Sequence, residues 1–534
     1  MKRWWEDCIV YQIYPRSFQD SNGDGIGDLQ GIIHRLDYVQ SLMVDALWIS
    51  PIFLSPMADF GYDISDYRSI DPVFGTLEDV DILLQEAHKR GIKVLFDMVL
   101  NHTSKEHPWF LESRSSKTNE KADYYIWSDT IPNNWCGAFG GKAWTYDKQR
   151  GQYYLHSFLP DQPDLNWRNP ETVASIHKEL QFWLDRGVDG FRLDVINCIV
   201  KDDAMRSNPK ILGSRLRPYD MQRHIFDRNR EEVHQKLYEL RKLIDTYPQR
   251  MLVGEIMVEN PGEPELAASF LGRDNDQLNL CFDFSLAYTK FNAEKFKTVA
   301  KRWNEAVGKH RIPTWVLNNH DISRIISRVG NNEAKAKLAA MFMLTQRGAV
   351  FLYYGEELGL PNSKVPHALM HDPVGKRYWP FHPGRDPQRG PMIWNTGEGY
   401  GFSDAEPWLP FAKSANRYSV ENQELEEDSM LNHYRNLIAL RKEDPVLANG
   451  CSTYLETNNH RVLVYKIDAL QGTRLVVLNF SDTYLKIKLR EKFPLSDYEL
   501  IYSTAPGAEK PLISDGFALQ PFQGCLYSLN NKSS

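Results

Sequence analysis

Charged and polar side chains stand at the ends of four apolar stretches that lie far apart in the chain. They are Asp97, Asn101, His102, Arg192, Asp194, Glu255, His320 and Asp321. If the four ends meet in one pocket, the carboxylates repel one another and their pKa values are pushed apart. One carboxyl group then stays protonated as an acid while another stays ionised as a nucleophile. No Cys/His spacing of a transition-metal cage accompanies them, so the residue types indicate acid–base and nucleophilic chemistry.

The stretch 187–197, which reads GVDGFRLDVIN, shows the pattern most clearly. Its apolar, β-branched residues are typical of a strand that is buried on both faces. Arg192 and Asp194 interrupt it two residues apart, so both side chains leave the same face. An Arg–Asp pair that only stabilises the core would explain one such strand. Because three other stretches end in the same way, a shared functional site at the strand ends is favoured.

Eight apolar stretches separated by helical patterns predict an α/β fold, a (β/α)8 TIM barrel. The predicted strands span residues 8–18, 45–53, 93–101, 187–197, 251–256, 278–286, 313–321 and 349–358. The predicted helices include 29–42, 76–90, 170–186, 231–247, 334–345 and 428–442. Thr76 and Asp79 match a capping box, and Gly91 marks the end of that helix.

The alternation of strands and helices is interrupted, and this divides the chain into domains. Residues 1–101 and 166–449 supply the predicted barrel, with an excursion rich in Pro, Gly and aromatic residues at 359–410. Residues 102–165 are polar, aromatic and too long for a plain loop, so they predict a small inserted domain after the third strand. From 450 to 534, short alternating strands predict a C-terminal antiparallel β domain, a β-sandwich.

Composition and charge exclude several function classes. The net charge of −7 is mild for 534 residues and no dense Lys/Arg run is present, so a nucleic-acid partner is not expected. No signal peptide and no apolar stretch long enough to span a membrane is seen. The six cysteines are scattered without metal-type spacing, which indicates free buried thiols of a reducing compartment. We therefore expect a cytoplasmic protein, either a monomer or a homodimer.

The first predicted strand opens onto residues 20–28, which read DSNGDGIGD. This loop offers oxygen ligands at every second position, namely Asp20, Asn22, Asp24, the carbonyl of Ile26, and Asp28. Such ligands suit a hard cation, so the loop predicts a structural Ca²⁺ or Mg²⁺ site. An Asp/Gly-rich turn without an ion is the alternative that the sequence leaves open. No organic cofactor is expected.

Four short motifs, DMVLNH, GFRLDVIN, GEI and NNHD, resemble in order the four motif regions of the alpha-amylase family of glycoside hydrolases. QPDLNW at 162–167 is similar to a fifth, and the likeness runs from Tyr11 to about Pro410. Within the family, YQIYPRSFQDSNGDGIGDLQGI and GYDISDY resemble the oligo-1,6-glucosidase and alpha-glucosidase branch, which carries a cation in the loop at 20–28. GRDPQRGPMIW resembles the Arg-bearing motif of that branch, with Gly390 where Thr is usual.

The resemblance implies retaining hydrolysis by double displacement through a covalent glycosyl-enzyme. It implies that Asp194 is the nucleophile, that Glu255 is the general acid/base, and that Asp321 is a third carboxylate that binds ring hydroxyls. We expect the charge of Arg192 to keep Asp194 ionised, and the acidic neighbours to raise the pKa of Glu255.

The same resemblance implies a pocket that is closed behind the terminal glucose. Asp59 and Arg385 are expected to form the closing ion pair, which makes the enzyme exo-acting, and Tyr62 is expected to stack under the sugar. The other candidate substrate-binding residues are His102, Phe139, Phe158, Gln162, Arg192 and His320. For each Phe, a plain core position is the alternative.

Two features indicate different linkages. Val195 follows the nucleophile, and in this branch Val at that position accompanies α-1,6 linkages. NCIVKDDAMRSNP (197–209) and YWPFHPGRDPQRGPMIW more closely resemble bacterial alpha-glucosidases that cleave short α-1,4 substrates and transfer glucose to alcohols. We therefore expect an exo-acting alpha-glucosidase on short oligosaccharides, with the linkage left open and mixed activity expected.

Two alternatives remain. A glucosyltransferase or sucrose isomerase would use the same intermediate, and isomerising relatives carry an Arg-rich loop after the fourth motif, where this chain has ISRIISR at 322–328. A non-catalytic binding relative, like the heavy chains of amino-acid transporters, is more remote. Those proteins carry a membrane span and tend to lose the carboxylates that this chain keeps.

Overall fold

Eight parallel strands form the central sheet of the computed structural model, which describes residues 3–212, 217–258, 262–490, 495–505, 512–513 and 516–529. They are β1 (Ile9–Ile13), β2 (Ala46–Ile49), β3 (Lys93–Val99), β4 (Gly190–Asp194), β5 (Met251–Gly254), β6 (Leu280–Cys281), β7 (Thr314–Val316) and β8 (Ala349–Tyr353). Their spatial order is β6-β5-β4-β3-β2-β1-β8-β7. This order confirms the predicted (β/α)8 barrel, and each predicted strand contains one observed strand.

The two ends of this sheet, β6 and β7, meet through a side chain. The Thr314 hydroxyl donates a hydrogen bond of 2.5 Å to the carbonyl of Cys281, and no backbone ladder joins the two strands in the described residues. At the opposite side, β1 pairs with both β8 and β2. The barrel is therefore closed at one seam by a hydroxyl group.

Helices surround the sheet. They are Leu29–His34, Leu36–Ser41, Leu77–Lys89, Pro170–Arg186, Glu232–Ile244, Pro264–Ser269, Ser285–Tyr288, Ala293–Val307, Ile325–Arg328, Glu333–Leu344, Met430–Glu443 and Pro445–Asn449. The predicted capping box is present. The Thr76 hydroxyl accepts from the Asp79 amide at 3.2 Å, and the Asp79 carboxylate accepts from the Thr76 amide at 2.7 Å.

The prediction of one continuous helix over 29–42 is wrong, because the helix breaks at Arg35. This residue has φ −103° and ψ 8° and separates two helices of six residues each. Its guanidinium donates to the Gln19 side chain at 2.6 Å and lies 4.2 Å from the Trp394 ring centroid. These long-range contacts hold Arg35 in place, and apolar periodicity along the chain does not report them.

Apolar side chains fill the barrel beneath the strand ends. This internal cluster includes Val10, Ala46, Trp48, Leu95, Met251, Val253, Leu280, Val316, Ala349 and Phe351. The indole N–H of Trp48 donates to the carboxylate of Asp97 at 3.1 Å, so this ring separates the apolar interior from the first polar group above it. Polar chemistry is thereby confined to the carboxyl ends of the strands.

Smaller β structures occur in the inserted region and at the C-terminal end. Within 102–165, the strands Trp127–Ser128, Trp144–Asp147 and Gln152–Leu155 form an antiparallel sheet, and a helix spans Pro108–Ser115.

The C-terminal region contains a five-stranded and a three-stranded antiparallel sheet. Their strands are Cys451–Leu455, Val462–Ala469, Gly472–Asn479, Tyr498–Ser503 and Gly524–Leu529, and then Leu485–Lys488, Leu512–Ile513 and Gly516–Leu519. Side chains of both sheets share one hydrophobic cluster, which is the arrangement of a β-sandwich. With the barrel, these sheets confirm the predicted fold class.

The cysteines are less uniformly buried than the sequence predicted. Cys8, Cys198, Cys281 and Cys525 are buried, and no described cysteine forms a disulfide. Cys451 is exposed because it begins the edge strand of the five-stranded sheet, where alternate side chains face water. Cys136 is half-buried. Among the described helices, none is both long and apolar enough to cross a membrane.

Candidate active site

Arg192 on β4 is the centre of the polar site at the strand ends. It is fully buried, and its guanidinium donates to three carboxylates. Nη1 donates to Asp97 at 2.6 Å and to Asp194 at 2.8 Å, and Nη2 donates to Glu255. Asp97 lies within β3, Asp194 is the last residue of β4 and Glu255 directly follows β5, so the parallel barrel brings together groups that are about 160 residues apart in the chain.

β4 ends at Asp194, three residues earlier than the sequence predicted. Val195 adopts the left-handed region, with φ 35° and ψ 44°, which a strand cannot contain. Its side chain packs with Phe158 and Cys198, and this packing holds a β-branched residue in an unfavourable conformation. The turn places the Asp194 carboxyl at the barrel mouth, where 11% of the side chain is exposed.

Burial raises the pKa of both Asp194 and Glu255. At Asp194 burial outweighs the lowering effect of Arg192, and Glu255, Asp97 and Asp321 raise the pKa further. Arg192 acts on the pKa of Asp194 in the expected direction, but one guanidinium serves three buried carboxylates, so the ionised state of Asp194 stays a prediction. At Glu255 the predicted direction is correct, but burial contributes more than the acidic neighbours.

Asp321, which follows β7, has a lowered pKa. Burial acts to raise it, but at neutral pH the guanidinium charges of Arg385, Arg389 and Arg192 act in the opposite direction. Arg389 donates to Oδ1 at 2.9 Å and Arg385 lies 3.4 Å from the same atom, while His320 Nε2 is 3.2 Å from Oδ2. Asp321 is thus an anion at neutral pH. About a third of its side chain remains open to the cavity, where a hydroxyl can reach it.

Tyr62 lies on the wall of the cavity, and the ring of His320 stacks on it from behind. Their ring centroids are 5.5 Å apart and the planes differ by 6°. The Tyr62 hydroxyl donates to Asp97 at 3.0 Å and lies 2.7 Å from His320 Nε2, while the Gln12 amide nitrogen lies 2.8 Å from Nδ1. Burial lowers the pKa of His320 to about 3, so the ring is neutral.

Arg385 closes one end of the cavity. Its Nη2 donates to Asp59 at 2.6 Å and to Asp372 at 2.7 Å. The Phe139 ring lies 4.6 Å from the guanidinium carbon, and Gln162 donates to the other oxygen of Asp59 at 3.2 Å. The structure thus brings the two residues of the expected closing pair together, and we call this part of the cavity its closed end.

His102 and Phe158 continue the wall next to the closed end. The amide nitrogen of Gln162 lies 3.1 Å from His102 Nε2, and the rings of His102 and Phe158 are 5.2 Å apart. Burial lowers the pKa of His102 to about 4, so this imidazole is also neutral. Phe139 and Phe158 line the cavity rather than the core alone.

The lining of the cavity, whose volume is about 630 Å³, includes a polar part and an apolar part; polar residues of the segment 217–228 also line it, namely Arg217, Tyr219, Asp220, Gln222, His224 and Arg228. The polar part contains Asp59, Tyr62, His102, Asp194, Glu255, Asp321 and Arg385. The part that we call the apolar mouth contains Ile211, Leu212, Met257, Val258, Phe284, Tyr288 and Ile322. Leu212 is 94% exposed and Tyr288 is 53% exposed, so this part opens to solvent. Gln162, Arg192 and His320 lie behind the lining and support it.

Four residues that contact the site were not predicted from the sequence, namely Gln12, Trp48, Asp372 and Arg389. Arg389 lies four residues after Arg385 in GRDPQRG, a spacing that could have drawn attention to it. The other three carry no local signal. Gly390 leaves room for the Ser363 hydroxyl, which occupies the space that a β-carbon there would need.

The loop at 20–28 uses its side-chain oxygens to bind its own backbone. Asp20 accepts from the amides of Asn22 and Gly25 at 2.9 and 2.8 Å, Asp24 accepts from Ile26 at 2.8 Å, and Asp28 caps the helix that follows. The donor set suits a hard cation. However, no three His, Cys, Asp or Glu side chains of the described residues form a group that could hold a metal. The cation stays a prediction.

The two arginines of ISRIISR do not reach the cavity. Arg324 donates to the carbonyls of Gln388 and Tyr354, and Arg328 donates to those of Ser323 and Leu317. Neither lines the cavity. They stabilise the backbone around the end of β7, which gives no support to a sugar-binding role for this segment.

Comparison with known proteins agrees with the geometry of the site. A family model described as alpha amylase, catalytic domain, matches residues 12–450. The chain belongs to the alpha-amylase family. It is therefore an enzyme of the glycoside hydrolase class, which disfavours the non-catalytic alternative.

Several relatives are similar in sequence to this chain over most or all of its length. A probable alpha-glucosidase of Rhizobium meliloti (strain 1021) is 45% identical over 472 residues, which is 85% of each chain. An oligo-1,6-glucosidase of Halalkalibacterium halodurans is 36% identical, and the match spans 99% of this chain and 100% of that protein. The crystal structure of an alpha-glucosyl transfer enzyme, XgtA, has a TM-score of 0.93 at 40% identity, and covers 99% of this chain and 100% of its own.

Proposed function

We propose that this protein is a retaining, exo-acting alpha-glucosidase that releases glucose from the non-reducing end of short alpha-glucosides. One observation carries the proposal: Arg192 holds Asp194 and Glu255 together in a cavity that the Arg385–Asp59 pair closes at one end. An end closed in this way would admit a terminal sugar and exclude a continuing chain. The similarity to alpha-glucosidases and oligo-1,6-glucosidases supports the same substrate class.

The retaining mechanism is supported by how close the two carboxyl groups lie. Both contact nitrogens of one guanidinium, and retaining enzymes space their carboxyls by about 5 Å, against roughly 6.5–9.5 Å in inverting enzymes. Asp194 attacks the anomeric carbon as the glycosidic C–O bond breaks, and Glu255 gives its proton to the leaving oxygen. Water then loses a proton to Glu255, and its oxygen displaces Asp194 from the anomeric carbon.

The shared environment of the two carboxyls also supports their different protonation. Interacting acids lose their protons in two steps, so removing the first proton makes the second harder to remove. The carboxylate formed first is stabilised by Arg192, and its charge keeps the partner protonated. Burial raises the pKa of both groups, and we assign the anion to Asp194 and the proton to Glu255 from the roles that the family resemblance implies. Asp321, which is ionised throughout, would accept hydrogen bonds from hydroxyls of the bound sugar.

Transfer of glucose to other acceptors is a second part of the proposal. The leaving group departs through the apolar mouth, and the acceptor of the second step enters there. A mouth lined by Leu212, Met257 and Tyr288 can bind an alcohol in place of water. The similarity to an alpha-glucosyl transfer enzyme supports the same activity. Sucrose isomerisation has less support, because Arg324 and Arg328 are used by the backbone.

Product analysis by NMR tests the proposal, with maltose, isomaltose and sucrose as separate substrates. Early appearance of α-glucose rather than β-glucose is expected for retention. Release from maltose, from isomaltose or from both settles the α-1,4 and α-1,6 preference. New oligosaccharides would indicate transfer, and a sucrose isomer would indicate isomerisation. Early β-glucose, or no turnover of any alpha-glucoside by folded protein, would contradict the proposed function.

A further inference from the structure

A short helix, Pro373–Tyr378, reaches the closed end of the cavity from outside the barrel. It belongs to the excursion 359–410, and neither the sequence nor the cavity lining draws attention to it. Both of its ends contact residues that hold Arg385: Asp372 at the N-terminal end, and the segment that contains Phe139 at the C-terminal end. We call it the bracing helix.

The N-terminal end of the bracing helix holds Arg385 through Asp372. This carboxylate is fully buried and caps the helix by accepting from the Gly375 amide at 3.1 Å. It also accepts from the Arg385 side chain, from Nε at 2.8 Å and from Nη2 at 2.7 Å, and from the Arg385 backbone amide at 2.9 Å. Two side-chain hydrogen bonds from one guanidinium fix its plane as well as its position.

The C-terminal end of the bracing helix contacts the inserted region next to Phe139, whose ring packs on Arg385. Arg377, although exposed, donates to the carbonyl of Gly140 at 3.2 Å. Gly140 has φ 101°, and a β-carbon there would clash with the Tyr378 hydroxyl, so the contact is close. The adjacent residue, Phe139, lays its ring on the Arg385 guanidinium at 4.6 Å.

We propose that the bracing helix positions Arg385, with Asp372 as the main positioning residue and the contact on Gly140 as a second support. This inference rests on the proposed function, since it concerns how the terminal sugar is bound. Arg385 has three carboxylate partners, and two of them, Asp59 and Asp321, lie on the cavity side. Asp372 holds the guanidinium back at the closed end, so that Asp321 keeps an oxygen available for a sugar hydroxyl.

Loss of Asp372 should therefore weaken sugar binding more than it slows the chemical step. In Asp372→Asn, the guanidinium keeps Asp59 and Asp321 as its charged partners and moves toward Asp321. We expect KM for maltose to rise about tenfold, with kcat within about twofold, because a group that binds substrate and transition state equally affects KM. Gly140→Ala disturbs the other support and should raise KM less. Arg302→Ala removes a surface ion pair with Glu265 and serves as the control.

The decisive comparison is the double variant Asp372→Asn/Arg385→Ala. If Asp372 acts through Arg385, it should add less than about twofold to the KM of Arg385→Ala alone. Calorimetric titration with glucose measures the same loss of affinity without turnover, so it decides the inference even if the wild-type protein hydrolyses no alpha-glucoside. Thermal melts identify variants that fail to fold, in which case Gly140→Ala carries the test. An unchanged KM and glucose affinity, or additive effects in the double variant, would overturn the proposal.

Discussion

Arg192 is the residue on which the site depends, because it is a single buried cation among three acids. Moving charges out of water is costly, and the cost is met only when each charge keeps partners of opposite sign or good hydrogen bonds. Here one guanidinium serves Asp97, Asp194 and Glu255, so keeping all three carboxyls ionised would cost a large desolvation free energy. Burial therefore raises the pKa of each of these carboxyls, which favours the acid form at pH values above the ordinary carboxyl range.

Replacing the nucleophile should remove nearly all turnover. Asp194→Asn keeps the shape of the side chain and an oxygen for Arg192, but it cannot form the glycosyl-enzyme. We expect kcat for 4-nitrophenyl alpha-glucoside to fall by at least about 10⁴-fold, as for nucleophile knockouts in other hydrolases. The melting temperature should stay near that of the wild type. Substantial turnover in a well-folded variant would refute the assignment.

The raised pKa of Glu255 predicts the alkaline side of the pH profile. A raised pKa means that the acid form persists above the ordinary carboxyl range, and activity falls as the pH rises through that value. His102 and His320 are neutral above pH values of about 4 and 3, so they cannot cause this fall.

The test is Glu255→Gln with 4-nitrophenyl alpha-glucoside, whose leaving group needs little protonation. The alkaline fall in kcat/KM seen in the wild type should disappear in the variant. An alkaline limb that is the same in both proteins would assign that limb to another group. Asp321→Asn is a second comparison: its own carboxyl has a lowered pKa, so the limb should persist in this variant, but at lower pH, because the charge of Asp321 raises the pKa of Glu255.

Residue identities at the strand ends were predictable, but their electrostatics were only partly so. Asp194, Glu255 and Asp321 each follow an apolar run, and that pattern can be read from the amino-acid sequence alone. The pKa of Asp194 depends on how many carboxylates share Arg192, which only the folded site defines. Asp372 and Gln12 reach the site from segments whose local sequence says nothing about it.

At the scale of elements, strong local signals were reliable and long-range contacts produced the errors. The helix Leu77–Lys89 begins and ends where its capping residues predict. The helix over 29–42 breaks at Arg35, whose guanidinium packs on Trp394, and β4 stops before Val195, which packs on Phe158. In both cases the packing partner lies in a distant segment of the chain. The local sequence therefore does not show why the helix or the strand ends there.

The loop at 20–28 provides a prediction at this scale. If it binds a Ca²⁺ or Mg²⁺ ion in the folded state only, removing the ion with EDTA should lower the melting temperature by several degrees, since ligand binding adds to stability by mass action. Asp24→Asn keeps the acceptor for the Ile26 amide but removes a charge. Its melting temperature should respond less to EDTA. If EDTA and added Ca²⁺ or Mg²⁺ leave the wild-type melt unchanged, the loop is an ion-free turn.

At the scale of the whole molecule, the cavity is made by segments that fold as separate excursions from the barrel. Phe139 comes from the inserted region, Arg385 comes from 359–410, and Asp59 follows β2. The barrel supplies the carboxyls that react, while the excursions supply the closed end. The eight-stranded architecture was predictable from the periodicity of apolar residues. The contact between the segments that form the closed end was not, because irregular segments have no such periodicity.

This division predicts poor activity on intact starch. A closed end accepts chain termini only, so iodine staining should persist while glucose appears slowly. Asp59→Ala removes the ion pair and should raise the KM for maltose while allowing longer chains to bind. Rapid loss of iodine staining by the wild-type protein would show that the cavity is open at both ends.

The pairing of β1 with β8 also has a consequence for synthesis. Ile9 and its partner Val350 are separated by roughly 340 residues, and at about 5–20 residues per second the partner leaves the ribosome some 20–70 s later. During that interval β2 can dock beside β1, but the other edge of β1 has nothing to pair with. A nascent chain stalled before residue 349 is therefore expected to be held by chaperones, and release should follow once β8 has emerged.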